Sequence, residues 1–281
     1  MTTGLVDVGG GMRGIYAAGI LDTCLEQGIA FDCCIGVSAG SANVISYLAG
    51  QKGRNYRFYH DYSFRRTYMS MENLMHTGSY IDLEYIYGTL SAKDGEDPLD
   101  YPAFAANPAK FFVVAEEAAS GRCRYFDRSD IQQDNYRTLM ASSCLPAVNR
   151  PIEIDGVAYY DGALADPVPI QKAFDEGCDR VVLILTKPVN LLRVPGNDRK
   201  IARIIQKKYP ASAENLLKRA DRYNDSVQLA REYQRQGKVL ILAPDDISGV
   251  DTLKRDKEAL HRFYLKGVRD GEQIAPWLTR H

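Results

Sequence analysis

The chain has 281 residues, 45% hydrophobic and 25% charged, with 35 lysines and arginines against 36 aspartates and glutamates. That is the composition of an ordinary globular protein, and a net charge of −1 excludes a strongly basic nucleic-acid binder or an acidic tail. Six cysteines without a CxxC pair and four histidines, none near a cysteine, argue against a disulfide scaffold or a zinc site, and no cofactor is expected. No apolar run approaches the roughly 18 residues of a spanning helix, and the opening MTTGLVDVGGG lacks a basic leader, so a reducing cytoplasm is the expected compartment.

In chain order, residues 4–8 read as a short apolar strand that ends in Gly9, Gly10 and Gly11. The spacing of Ile15, Ala18, Leu21 and Leu25 predicts a helix over 13–27, stopped by Gly28. A second buried strand, 33–37, leads into a small-residue helix at 38–49. Residues 51–90 break the rhythm with seven tyrosines and with Met69, Met71 and Met75. They read either as an acyl-chain groove or lid, or as buried helix faces. Further strands are expected at 111–115, 157–161, 180–185 and 238–242, with a helix at 170–176.

Strands that are apolar throughout and alternate with helices imply a mostly parallel sheet covered on both faces. The fold expected is a single three-layer α/β/α domain over 4–186. A mainly helical extension, 187–281 (helix, strand, helix), packs on the same domain. Within it, 190–238 carries 12 basic against 5 acidic residues, a solvated face or a contact for anionic headgroups. The last helix is expected over 251–268, with a capping box from Ser248 and Asp251.

Two glycine motifs compete for the chemistry. Gly9, Gly11 and Gly14 satisfy GxGxxG between a strand and a helix, with Asp32 18 residues beyond Gly14. That is a dinucleotide-binding reading, weakened because Asp32 precedes the second strand instead of ending it. The end of that strand holds Gly36-Val37-Ser38-Ala39-Gly40, a GxSxG in the setting of a nucleophile elbow. The same serine also reads as a helix cap in a tight turn.

With Ser38 as nucleophile, the glycine loop becomes a source of N–H donors for an oxyanion. The base is harder to find. His60 and His76 lie in the tyrosine-rich segment, His281 is the last residue, and His261 sits on an amphipathic helix. Asp161 ends a strand in Tyr160-Asp161-Gly162-Ala163, where it reads either as the base of a Ser-Asp dyad or as an ordinary Asp-Gly turn.

The motifs at 9–14, 36–40 and 161–163, with Ala141-Ser142-Ser143-Cys144-Leu145-Pro146 before the last, together resemble the ordered signatures of the patatin-like phospholipases. The resemblance covers residues 4–186 and is closest to intracellular bacterial members. It implies a lipid acyl hydrolase with Ser38 as nucleophile, Asp161 as its partner, Gly9, Gly10 and Gly11 as the oxyanion hole, and no catalytic histidine. Arg13, inside the first motif, becomes a candidate for orienting a substrate phosphate. The partners implied are a lipid or other acyl ester and, peripherally, the inner face of a membrane. A triad using His261, a nucleotide module using residues 9–14, and a non-catalytic lipid binder are the alternatives.

Overall fold

The computed structural model describes residues 1–247 and 249–279. Strands β1 (Thr3–Asp7), β2 (Cys33–Val37), β3 (Lys110–Glu117), β4 (Cys123–Phe126), β5 (Ile152–Ile154), β6 (Val157–Asp161), β7 (Arg180–Ile184) and β8 (Val239–Leu242) form one sheet. Hydrogen-bonded neighbours run β5-β6-β3-β2-β1-β7-β8, with β4 also on β3. β3, β2, β1, β7 and β8 are mutually parallel, and β4, β5 and β6 are antiparallel additions. The α-helices are α1 (Ile15–Glu26), α2 (Ala39–Leu48), α3 (Arg54–His60), α4 (Met71–Thr77), α5 (Tyr101–Ala106), α6 (Arg137–Ser142), α7 (Ile170–Asp175), α8 (Asp198–Ile205), α9 (Pro210–Arg235), α10 (Lys257–Gly271) and α11 (Ile274–Leu278).

The period-two alternation of each strand divides the core between two faces. Leu5, Cys34, Val182 and Ile184 pack with α1, α2 and α10 on one side. Val6, Ile35, Val181 and Leu183 pack with α7 and α9 on the other. The sheet is therefore a middle layer, and because its central strands are covered twice, they are mostly apolar on both faces.

Residues beyond 187 are built into the same layers. β8 pairs with β7 along Val181 to Ile184. α10 is tied to α1 by Tyr16 donating to Asp270 (2.6 Å) and Tyr264 donating to Asp22 (2.8 Å). The last long helix starts at Lys257, not near 251, because the Asp256 side chain caps it by accepting the Ala259 N–H. Ser248, expected in that cap, lies outside the described residues, as does His281. β4 and β5 escape a hydrophobic reading because both are short and largely unburied.

The registers of β3 place the site. Val113 and Val114 pair with both β2 and β4, whereas Ala115 and Glu116 pair with both β4 and β6. A strand has two edges, so β6 takes over from β2 along the same edge. β2 ends at Val37 opposite Val114, and Asp161 of β6 lies opposite Ala115. The residue after Val37 is thereby delivered to Asp161.

One buried group on this strand makes stability pH-dependent. Glu116 is fully buried and accepts hydrogen bonds from Ser212 (2.5 Å) and Asn215 (2.7 Å) of α9. Burial outweighs those bonds and pushes its carboxyl up to about 7. The native state thus retains a proton that the unfolded chain loses at ordinary carboxylate pH, so this contribution is present below about 4.5 and lost as pH rises towards 7. Urea unfolding at pH 5 and pH 8 is expected to show a decline that Glu116→Gln reduces by on the order of 2–3 kcal/mol. An unaltered slope in the variant would contradict this assignment.

Candidate active site

Ser38 links β2 to α2 at φ 57°, ψ −134°, a left-handed conformation that non-glycine residues avoid. The strained turn holds because both ends are over-determined. The Ser38 N–H donates to Ser142 Oγ (2.8 Å), and its carbonyl accepts from Ser41 N–H (3.0 Å) and Oγ (2.7 Å). Its hydroxyl makes no helix-capping bond and instead donates to Asp161 Oδ2 at 2.6 Å. Asp161 also caps the following turn, its Oδ1 accepting the Ala163 N–H (2.8 Å). Burial holds the Asp161 carboxyl above the ordinary range, while the bonds from Ser38 and Ala163 oppose that shift.

The glycine loop is positioned from beneath by Asp7, the buried last residue of β1. Asp7 Oδ1 accepts the Gly9 N–H (2.9 Å), and Oδ2 accepts from Asn43 of α2 (2.9 Å). Burial pushes the Asp7 carboxyl up to about 6. Thr186, after β7, donates to the Gly9 carbonyl. Gly9, Gly10 and Gly11 all have positive φ (64°, 127° and 61°), a run that only glycine takes readily. Of the three glycines expected in the oxyanion hole, Gly9 has its N–H held by Asp7. Among the described residues, the N–H groups of Gly10 and Gly11 have no partner, while that of Met12 donates to Thr252 (3.0 Å).

Two cavities meet at Ser38. One, of about 370 Å³, is lined by the glycine loop, Ser38 and Asp161, and on its far side by Arg13, Lys187, Arg193 and Arg219. The other, of about 80 Å³, is mainly apolar and enclosed by Ala42, Phe58, Tyr59, Tyr68, Met69 and Tyr87. Gly11, Ser38, Leu145, Thr252 and Leu253 border both. The 51–90 segment therefore lies against Ser38 through Met69, but Met71 and Met75 project into solvent, because α4 buries none of its residues.

Arg13 is not a surface arginine. It is buried, and its Nη1 donates to Asp251 (2.8 Å), while its Nε has no hydrogen-bond partner among the described residues. His60, His76, His261 and Asp32 line neither cavity. His261 Nδ1 meets the Tyr56 hydroxyl (2.9 Å), His60 pairs with Asp61, and His76 contacts the Glu72 carbonyl. The described residues thus contain no triad through His261. Asp32 precedes β2, at the opposite end of that strand from Ser38, and accepts from Thr3. A ribose contact from the glycine loop to Asp32 is excluded by that distance along the sheet. Asp7, Asn43, Lys187, Arg193 and Arg219 line or support the candidate site and lie in no motif, whereas Ser142 falls in the 141–146 stretch. Among the described residues no cluster of three His, Cys, Asp or Glu is disposed to hold a metal ion, and no helix is long and apolar enough to cross a membrane.

Residues 6–174 match the family model of the patatin-like phospholipases, and the chain belongs to that family. Membership supports an activity of the lipid acyl hydrolase kind. Residues 209–279 match a second model, a domain of unknown function designated DUF6363. An uncharacterised Escherichia coli K12 protein, YjjU, is 28% identical over 198 residues, which is 68% of this chain but 54% of YjjU. The chain thus spans about half the length of that relative. The crystal structure of VipD from Legionella pneumophila superposes with a TM-score of 0.51 at 13% identity, covering 98% of this chain and 67% of VipD. At that identity the likeness is one of fold.

Proposed function

We propose that the protein is a serine acyl hydrolase that cleaves fatty-acyl esters through a Ser38–Asp161 dyad. The observation that carries this reading is the 2.6 Å hydrogen bond from the Ser38 hydroxyl to a buried carboxylate at a strained strand-to-helix turn. Asp161 accepts the Ser38 proton as Oγ attacks the ester carbonyl. The free N–H groups of Gly10 and Gly11, assisted by the N-terminal dipole of α2, stabilise the oxyanion. The proton then passes to the leaving alcohol, and a water activated by Asp161 releases the acid. A carboxylate is a weak base for a serine in water, and the dry, fully buried setting of Asp161 narrows that gap.

The apolar cavity beside Ser38 is assigned to the acyl chain. Its small volume favours short acyl groups, and Met69 forms part of its wall. Met69→Ala is expected to raise kcat/KM for octanoyl relative to butyryl esters by about tenfold, with Met71→Gln and Met75→Gln leaving that ratio unchanged. An octanoyl-to-butyryl ratio indifferent to Met69→Ala would remove the acyl chain from this cavity. Hydrolysis of p-nitrophenyl butyrate by the wild type but not by Ser38→Ala tests the reading as a whole. A protein that binds fatty acids yet releases no nitrophenol would instead be a lipid binder.

A further inference from the structure

The larger cavity is unusual in what lines it. Arg13, Lys187, Arg193, Arg219 and Lys254 face Asp161, Asp198 and Asp251, five cations against three carboxylates. Two of the cations are neutralised, Arg13 by Asp251 (2.8 Å) and Arg219 by a bidentate contact to Asp198. Two are not. Lys187 has no hydrogen-bond or ion-pair partner among the described residues, and the Arg193 guanidinium has only a 3.9 Å approach to Asp198. Arg193 is nonetheless held in place, because its backbone N–H donates to Asn224 (2.8 Å), Asn224 donates back to its carbonyl (3.0 Å), and its guanidinium lies over the Tyr223 ring.

These groups sit in a half-buried cleft, where unsatisfied cations are costly. Burial and the neighbouring Arg13 and Arg193 push the Lys187 ammonium down to about 8, and burial with Arg219 pushes Arg193 down to about 10. A dianion between them would supply the missing partners and remove the mutual repulsion. Arg13, whose buried Nε has no hydrogen-bond partner among the described residues, lines the same cavity. The arrangement bridges two segments of the chain, since Lys187, Arg193 and Arg219 all lie beyond residue 174, where the family match ends.

Resting on the acyl hydrolase reading, we infer that Lys187 and Arg193, beside Arg13, form a subsite for a phosphate group carried by the alcohol portion of the ester. Ser38 borders both cavities, so a substrate held there can place its acyl chain in the apolar cavity and its phosphate in the cationic one. The protein then selects acyl esters with an anionic phosphate headgroup over neutral and zwitterionic ones.

Octanoyl glycerol, octanoyl glycerol 3-phosphate and octanoyl glycerophosphocholine separate these chemistries on one acyl chain. The phosphate ester is expected to be the preferred substrate. Arg193→Gln or Lys187→Gln should lower its kcat/KM relative to octanoyl glycerol by about tenfold, mainly through KM, and Arg193→Lys should restore most of that ratio. Equal turnover of the neutral and anionic esters, or equal losses on both in the variants, overturns the subsite. Binding is read separately by titrating folded Ser38→Ala protein with octanoyl glycerol 3-phosphate and with inorganic phosphate. Binding of the ester that weakens in the Arg193→Gln background supports the subsite even if none of the three esters is hydrolysed, an outcome that would sink only the hydrolase reading. Inorganic phosphate binding as tightly as the ester would mark a free-phosphate site and overturn the headgroup assignment.

Discussion

Ser38→Ala is expected to lower kcat/KM for an activated ester by about 10³-fold or more, and Asp161→Asn by a similar factor. Dyad members act as a unit, so removing either abolishes the covalent route and leaves only the contribution of the oxyanion donors and binding. The asparagine keeps a carbonyl oxygen near Ser38 but cannot take its proton. Neither substitution removes core volume, so both variants should fold, and retained thermal unfolding checks this. The acid limb of the kcat/KM profile should lie above the ordinary carboxylate value of 3.8, because Asp161 must be ionised to act and burial opposes its ionisation. His261→Ala should leave that limb unchanged, since His261 contacts Tyr56 and lines neither cavity beside Ser38. An acid limb that disappears with His261 would restore the triad.

Gly162→Ala should be nearly as damaging, through geometry instead of chemistry. A Cβ at Gly162 would lie 2.2 Å from the Val114 carbonyl oxygen, a backbone atom of β3 that cannot move without dragging the strand. Relief therefore requires a shift of the segment that carries Asp161, and a displacement of about 1 Å at a reacting group costs about 10²-fold in rate. The overpacking should also lower stability by about 1–3 kcal/mol. Ala163→Gly is the control, because Ala163 contributes a backbone N–H to Asp161 that glycine retains. Its effect on rate should be slight. A Gly162→Ala enzyme with wild-type rate would mean that β6 does not hold Asp161 as tightly as its register implies.

The proposed nucleophile and its proposed partner are legible in the sequence because each needs a local backbone form that only certain residues permit. Ser38 is flanked by glycines where α2 turns back on β2: a Cβ at Gly36 would lie 2.3 Å from Ser41 Cα, and one at Gly40 would lie 2.3 Å from the Asp7 carbonyl. The expected parallel core strands, the early helices and the buried faces also follow from period and punctuation. What brings Ser38 and Asp161 together is not legible, since it depends on β6 replacing β2 along one edge of β3, a fact of register between segments more than 100 residues apart. Asp7 is hidden for a related reason. It sits inside the apolar run 4–8 with no motif to mark it, yet it anchors Gly9 and Asn43 in the interior.

The cationic wall is invisible for a third reason. Arg193 and Arg219 are two of twelve basic residues between 190 and 238, all similar in composition and spacing. Only the tertiary packing, α9 beside the sheet and the Arg193 loop held on it by Asn224, decides which of them line the cavity that holds Ser38. The methionines illustrate the same limit, because Met69 lines the apolar cavity while Met71 and Met75, a turn away, meet water.

The most direct test of an activated nucleophile is intact-mass analysis after exposure to a fluorophosphonate, with wild type and Ser38→Ala side by side. The dyad predicts one adduct, mapped to the peptide containing Ser38 and absent from the variant. A folded wild-type protein that takes no adduct, or takes one at another residue, would contradict it.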